Sequence, residues 1–416
     1  MTLSEELTWR GFVNQTTLSD ITDLDKTSRT FYLGVDPSAQ SMQIGNLAVM
    51  MMVRHFAMKG HKAILLVGGA TGMIGDPDGK KQERDLLTLE QIEANKVAIA
   101  AQYKQILGEV PFELVDNYDW FKGLGYLDFL RDVGKYVPMA QMLGRDFVQS
   151  RLGEEGSGIS YAEFSYSLIQ GYDFVHLYRD KGCTLQICGA DQWGNSITGV
   201  DLARRIEGAE VHVWSAPLVI NKSTGIKFGK TEGGAVWLDP SMTSPYKFYQ
   251  FWLNVDDEGV GDYMKIYTLL SKEEHEKIMV EFEHDKAGRL AQKTLAYEVT
   301  KLVHGQAAAD SVVRITKVLF GGGDLTDISS EDVDQMKSEL PTIRCKDGDL
   351  AVNAVVESGL ATSLGEARRF MQQNGITLNG DKIGPDYALT QDDRKAAGSA
   401  LLRRGKNTYA LIDISN

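Results

Sequence analysis

Residues 31–68 constrain this chain most. Phe31, Tyr32, Leu33, Gly34 and Val35 read as a short buried strand that turns through Asp36-Pro37-Ser38. A helix begins near Ile44-Gly45-Asn46. Its apolar positions (Leu47, Met50, Met51, His55, Met58) follow helical spacing and stop at Gly60. The segment AILLVG (63–68) is almost continuously apolar, as strands buried on both faces of a parallel sheet are. Strand, helix and strand joined by glycine turns predict a Rossmann-like βαβ unit and an α/β fold. A strand that feeds a helix N-terminus also makes an anion site, because the first backbone N–H groups have no intrahelical partner and the dipole favours negative charge. Gln43 and Asn46 are three apart and share a face there. Tyr32 and Asp36 place polar groups beside the turn.

The remaining bulk properties narrow the class. At 416 residues, the chain has room for two to four domains. No run approaches eighteen apolar residues, so no membrane span is expected. The opening MTLSEELTWRG lacks the basic and apolar regions of a signal peptide. Cys183, Cys188 and Cys345 are odd in number and lack a Cys-x-x-Cys pair, which predicts no disulfide framework, no zinc site and a cytoplasmic location. The net charge of −13 argues against indiscriminate binding along nucleic acid. From residue 341 onward ten Lys+Arg meet nine Asp+Glu, so the tail is less acidic than the body.

Further along, GGATGMIGDPDGKKQER reads as a glycine-rich turn carrying Asp76, Lys80 and Arg84. Residues 89–107 have helical spacing, and 115–160 read as an insertion. Residues 160–178 suit an amphipathic helix, on which Tyr166, Gln170 and Asp173 fall at i, i+4 and i+7, one face. A strand at 184–188, a helix at about 195–206 and a strand at 211–220 follow. Residues 225–238, GIKFGKTEGGAVWL, form a loop with two flexible cations, Lys227 and Lys230, beside Thr231, suited to closing over a polyphosphate.

Together these two stretches resemble the signatures of class I aminoacyl-tRNA synthetases, the His-Ile-Gly-His and Lys-Met-Ser-Lys-Ser motifs. With VGGATGMIGDP, NYDWF, FLRDVGK, AEFSYSLIQGYDF, DQWGN, KFGKTEGGAVWL, SPYKFYQFW and LLRRGK added, the chain resembles the bacterial-type tyrosyl-tRNA synthetases nearly end to end. The resemblance implies a Rossmann-like catalytic domain with a parallel sheet (1–225, insertion near 115–160), a mobile lysine loop (226–245), an α-helical anticodon-side domain (246–320), a linker (321–345) and a small α+β RNA-binding domain (346–416). It implies activation of L-tyrosine by ATP and transfer to tRNA(Tyr), with magnesium carried by ATP and no protein-held metal. It also implies a homodimer with the insertion at its interface. Tyr32 and Asp173 would read the phenol, and Asp76, Tyr166 and Gln170 would hold the α-amino group. Gln192 and Asp36 would lie near the carboxylate and phosphate, with Asn117 at the substrate site. Gly34, Asp36, Ser38, Gly45, Gly189, Asp191 and Lys230 would contact ATP, with Asp191 on the ribose. Gln43, Asn46, Lys227, Lys230 and Thr231, assisted by Lys80 and Arg84, would stabilise the leaving pyrophosphate. Arg368, Arg369, Lys382, Arg403, Arg404 and Lys406 would meet tRNA phosphates.

Two departures from the family pattern stand out. Gln43 and Asn46 replace histidines, and Leu33 replaces a small polar residue near the ribose. The amides cannot carry positive charge, yet both can donate to a phosphate or ribose oxygen. Two alternatives stay open at this point: tryptophanyl specificity, or an RNA-binding relative that has lost catalysis. The amide reading predicts that the parent protein catalyses ATP–pyrophosphate exchange and that a Gln43→His variant remains active. A parent that shows no exchange under saturating substrates contradicts it.

Overall fold

The computed structural model describes residues 1–77, 86–152, 156–231 and 234–415, apart from the side chains of Asp146, Phe147, Lys230 and Thr231. Lys80 and Arg84 lie outside the described residues. Among those described, Gln15–Thr16 (β1), Thr30–Val35 (β2), Lys62–Val67 (β3), Phe112–Asp116 (β4), Cys183–Gly189 (β5) and His212–Ala216 (β6) form a sheet in the order β1-β6-β5-β2-β3-β4. All neighbours are parallel except β1 and β6. The chain runs outward from β2 through β3 to β4, then returns to build β5 and β6 on the other side of β2. Connections therefore diverge between β2 and β5, and a crevice opens at their carboxyl ends, the usual ligand position in open α/β sheets.

Period-two alternation on β2 sends its side chains to two packed layers. Phe31 faces the helix Ile44–Met58, its ring 5.4 Å from that of Phe56. Met50, Met51 and Met52 fill the core on that helix, whereas Met58 is exposed. Tyr32 faces the other way into a cluster with Ile64, Leu66, Phe174 and Val175. Phe174 belongs to the helix Tyr161–Lys181, which starts at the N-cap Ser160 and stops at Gly182 in the left-handed region. This helix packs on its neighbour Trp193–Glu207 through two glycines. A Cβ on Gly171 would stand 2.9 Å from Leu202 Cδ1 and 3.3 Å from the Gly199 nitrogen, and one on Gly199 would stand 3.1 Å from the Phe174 Cβ.

Several expectations shift. The glycine-rich turn after β3 contains a helix, Gly69–Ile74, despite poor intrinsic propensity. Its first N–H groups are accepted by Asp116 Oδ1 (3.1 Å from Gly69) and Asn117 Oδ1 (2.7 Å from Ala70), partners 47 residues away that local sequence cannot display. β4 reaches Asp116, so the sheet extends into the stretch read as an insertion. The strand expected at 211–220 ends at Ala216.

The chain divides into two units, 1–244 with 250–303, and 245–249 with 304–416. The helical stretch 246–320 is shared between them. Arg10, nearly fully buried, donates to the carbonyls of Lys265, Thr268 and Leu270 and so ties the helix Val260–Tyr267 to the first unit. In the second unit the helix Gln306–Phe320 packs Ile315, Val318 and Leu319 against Val333 and Met336 of the helix Ser330–Glu339, which lies within the segment read as a linker. The second unit's sheet joins Thr342–Lys346 (β7), Ile376–Leu378 (β8), Asp381–Lys382 (β9), Ser399–Arg404 (β10) and Thr408–Ser415 (β11) in the order β9-β8-β10-β11-β7. Among the described residues no helix is long and apolar enough to cross a membrane.

The glycine contact between the two helices has no room for a branched side chain. Gly171→Val is expected to lower unfolding stability by about 1–3 kcal/mol, and Gly171→Ala by less, as read from urea midpoints. Equal midpoints for all three proteins would refute the close-packing account.

Candidate active site

The crevice between β2 and β5 is walled by a hydrogen-bonded network of buried side chains. Asn117, fully buried, directs its Oδ1 at the Ala70 N–H, which leaves Nδ2 to donate to Thr71 Oγ1 (3.2 Å) and Asp173 Oδ2 (3.1 Å). Trp120 Nε1 donates to the other Asp173 oxygen at 3.0 Å. The Thr71 hydroxyl donates to Asp36 Oδ1 (2.6 Å), and the Tyr166 hydroxyl donates to Asp36 Oδ2 (2.6 Å). Five residues expected at the site, Asp36, Asn117, Tyr166, Asp173 and Tyr32, thus gather in one place. Thr71 and Trp120 join them; both lie inside stretches that carry the family resemblance, but neither has a spacing that singles it out.

Burial governs the charges in this wall. The Asp173 carboxyl is pushed well above the ordinary value of 3.8, first by desolvation, against the lowering effect of its donors Asn117 and Trp120. The Tyr32 and Tyr166 phenols are raised by burial and then by neighbouring carboxylates, Asp173 for Tyr32 and Asp36 for Tyr166. The Tyr32 hydroxyl is buried and has no hydrogen-bond partner among the described residues, and the same holds for Gln170 Oε1. Gln170 sits between Tyr166 and Asp173 on the same helix face. A buried polar atom without a partner costs about 1–3 kcal/mol, and in this crevice the Tyr32 hydroxyl and Gln170 Oε1 are two groups to which a polar ligand can bond.

The second part of the crevice is the corner where β2 meets the helix Ile44–Met58. Asp36, Ser38, Gln43, Asn46 and Trp237 line a cleft of about 340 Å³ there. Asn46 Oδ1 accepts from the Gln43 N–H at 3.0 Å, which turns the Asn46 NH₂ group away from the backbone as a donor. The lysine loop reaches this corner. Gln43 bridges Trp237, Ile44 N–H donates to the Val236 carbonyl (3.2 Å), and Val236 N–H donates to the Gly229 carbonyl (3.0 Å). Gly229, at φ +89°, lies so close that a Cβ would stand 3.1 Å from that of Ile44. Lys227 runs past Gly45 and pairs at 3.7 Å with Asp191, both about half exposed. Lys230 and Thr231 form a short strand with Gly234–Ala235.

Between these parts, Gln192 Nε2 donates to Asp76 Oδ2 at 2.5 Å. Gly34 and Gly189 lie on the two strands that flank the crevice, and Leu33, on β2 beside Gly34, is buried. The six basic residues expected to meet RNA all lie in the second unit. Thr377 pairs with both Lys382 and Arg403, so those two share a sheet face, while Arg404, one residue on, takes the other. Arg369 and Arg404 flank the Phe370 ring at 5.4 and 5.3 Å, and Arg404 also donates to the Leu360 carbonyl. Arg368, Lys382 and Lys406 are exposed.

The raised Asp173 carboxyl has a definite sign in stability. The native state holds this proton to higher pH than the unfolded chain. The favourable contribution is complete below 3.8 and is lost as pH rises through the folded value. Asp173→Asn cannot ionise, although its NH₂ group meets one of the donors Asn117 and Trp120, so the stability gap between variant and parent is expected to shift in the variant's favour as pH rises from 4 to 8 in thermal melts. A gap independent of pH would contradict the assignment.

Residues 25–321 match the family described as tRNA synthetases class I (W and Y), and residues 332–412 match the tyrosine–tRNA ligase SYY-like C-terminal domain. The tyrosine–tRNA ligase of Rhodopirellula baltica is 43% identical over 427 residues, covering 100% of this chain and 97% of that protein. That of Geobacillus stearothermophilus is 44% identical over 421 residues, with 99% of each covered. Among solved structures, a C-terminally truncated mitochondrial tyrosyl-tRNA synthetase of Aspergillus nidulans superposes with a TM-score of 0.69 at 31% identity, covering 77% of this chain and 94% of that one. Sequence along the whole length, the divergent strand order and the two signature corners agree, and the chain belongs to the class I tyrosyl-tRNA synthetase family.

Proposed function

We propose that the crevice activates L-tyrosine with ATP and passes the tyrosyl group to the 3′ end of tRNA(Tyr). The observation that carries this reading is the buried Tyr32 hydroxyl, unpartnered among the described residues, beside a carboxylate, Asp173, whose two oxygens are already held by Asn117 and Trp120. A phenol entering there donates to Asp173 and accepts from Tyr32. Phenylalanine would leave both unpaired, at about 1–3 kcal/mol each. An indole offers no hydroxyl, which disfavours the tryptophanyl alternative that shares the family.

The other roles belong to the same proposal. Asp76, Tyr166 and Gln170 hold the α-ammonium, and Gln192 and Asp36 lie near the carboxylate and phosphate. In-line attack of that carboxylate on the α-phosphate expels pyrophosphate, and the adenylate is then attacked by a ribose hydroxyl of the tRNA. The protein aligns the two anions and stabilises the charge that builds on the phosphates. N–H groups at the start of the helix Ile44–Met58, the amides of Gln43 and Asn46, and Ser38 and Gly45 at the same corner face the triphosphate. Lys227 exchanges Asp191 for the pyrophosphate as ATP enters, which frees Asp191 for the ribose between Gly34 and Gly189. Lys230, Thr231, Lys80 and Arg84 complete the grip. ATP brings its own magnesium.

Around this centre, residues 1–225 form the catalytic domain, and 246–320 together with 346–416 engage tRNA through Arg368, Arg369, Lys382, Arg403, Arg404 and Lys406. Exposed Tyr126, Leu127, Met139 and Leu152 in the 115–160 stretch support a homodimer through that surface. The enzyme works in the cytoplasm. ATP–pyrophosphate exchange measured with each of the twenty amino acids tests the reading. Exchange stimulated by tyrosine alone is expected, and exchange with tryptophan, or with none, overturns it.

A further inference from the structure

Arg145 lies in the stretch between β4 and the helix Tyr161–Lys181, and it starts a chain of hydrogen bonds that ends in the crevice. Its Nη1 donates to Asn195 Oδ1 at 2.7 Å, and its Nη2 donates to the Gly194 carbonyl at 2.8 Å and to Thr198 Oγ1. Asn195, buried, passes the direction on, Nδ2 to Gln192 Oε1 at 3.2 Å. Gln192 closes the chain, Nε2 to Asp76 Oδ2 at 2.5 Å.

The two ends force the order of everything between them. A guanidinium only donates and an ionised carboxylate only accepts. With a pure donor at one end and a pure acceptor at the other, each amide has a single orientation that satisfies both neighbours. Flipping either one sets donor against donor or acceptor against acceptor. Neither amide can fix itself in this way, because its oxygen and NH₂ ends have nearly the same shape.

We infer that Arg145 and Asn195 are positioning residues for the α-ammonium subsite: they lock the Gln192 amide, and through it the Asp76 carboxylate, in the orientation that receives the substrate's amino group. The inference rests on the assignment of Asp76 to that group. The bond from Gln192 fixes which way the Asp76 carboxylate faces, and a carboxylate, with about four acceptor sites, suits an ammonium.

The discriminating variant is Asn195→Asp. It keeps shape and keeps an acceptor for Arg145, so the fold is retained, but it cannot donate to Gln192. Arg145→Met removes the starting donor, and Arg145→Lys restores one. The measurements are KM and kcat for tyrosine and ATP in pyrophosphate exchange, equilibrium binding of L-tyrosine and of 3-(4-hydroxyphenyl)propanoate, which lacks the amino group, and thermal melts. About a tenfold rise in the tyrosine KM is expected for Asn195→Asp and Arg145→Met, with kcat and the ATP KM within about twofold. Affinity for the deaminated analogue falls less than affinity for tyrosine, and Arg145→Lys recovers part of the loss. An unmoved tyrosine KM, equal weakening of tyrosine and its analogue, a melting shift without a KM effect, or an effect confined to transfer to tRNA overturns the inference while the functional reading stands. A parent protein with no tyrosine-dependent exchange overturns that reading and this inference with it.

Discussion

One buried amide organises the crevice. Asn117 spends its oxygen on the start of the helix Gly69–Ile74 and its NH₂ group on Thr71 and Asp173. Without the first bond, the glycine-rich helix loses one of the two long-range acceptors that cap it. Without the second, a carboxylate stripped of water keeps only Trp120 as a donor. Deleting one partner of a buried polar contact costs more than the contact's net worth, because the other partner stays buried and unpaired. The binding wall and the scaffold beneath it are therefore the same set of bonds.

The crevice has a chemical gradient that follows from this. At the Asp173 end, groups are buried, titrations are displaced and orientations are fixed, as suits discrimination between substrates that differ by one hydroxyl. At the Gln43 corner, Lys227 and Asp191 are half exposed and paired only loosely at 3.7 Å. Charges there are screened by solvent and can change partners at small cost, which suits a site that must grip pyrophosphate and then release it. Gln43 and Asn46 carry no titratable charge, so that corner offers donors whose strength does not depend on pH.

Much of this was legible in the sequence, and the reasons differ by element. The strand–helix–strand start shows because parallel strands and the helix between them carry unbroken apolar patterns. The shared face of Tyr166, Gln170 and Asp173 shows because helical period alone sets it. The helix Gly69–Ile74 does not show, since its caps come from Asp116 and Asn117 and its own residues favour turns. Nor does the role of Arg145 or Asn195, because a relay depends on which amide meets which, a property of three-dimensional packing. Ser330–Glu339 was hidden by acidic, loop-like composition, although its Val333 and Met336 are buried.

The account's central claim is that Tyr32 and Asp173 await a hydroxyl. Calorimetric titration of the parent and of Tyr32→Phe with L-tyrosine and L-phenylalanine tests it most directly. The account predicts that the parent binds tyrosine at least about thirtyfold more tightly than phenylalanine, and that Tyr32→Phe narrows the difference by weakening tyrosine and strengthening phenylalanine. Comparable affinities for the two amino acids in the parent would contradict it.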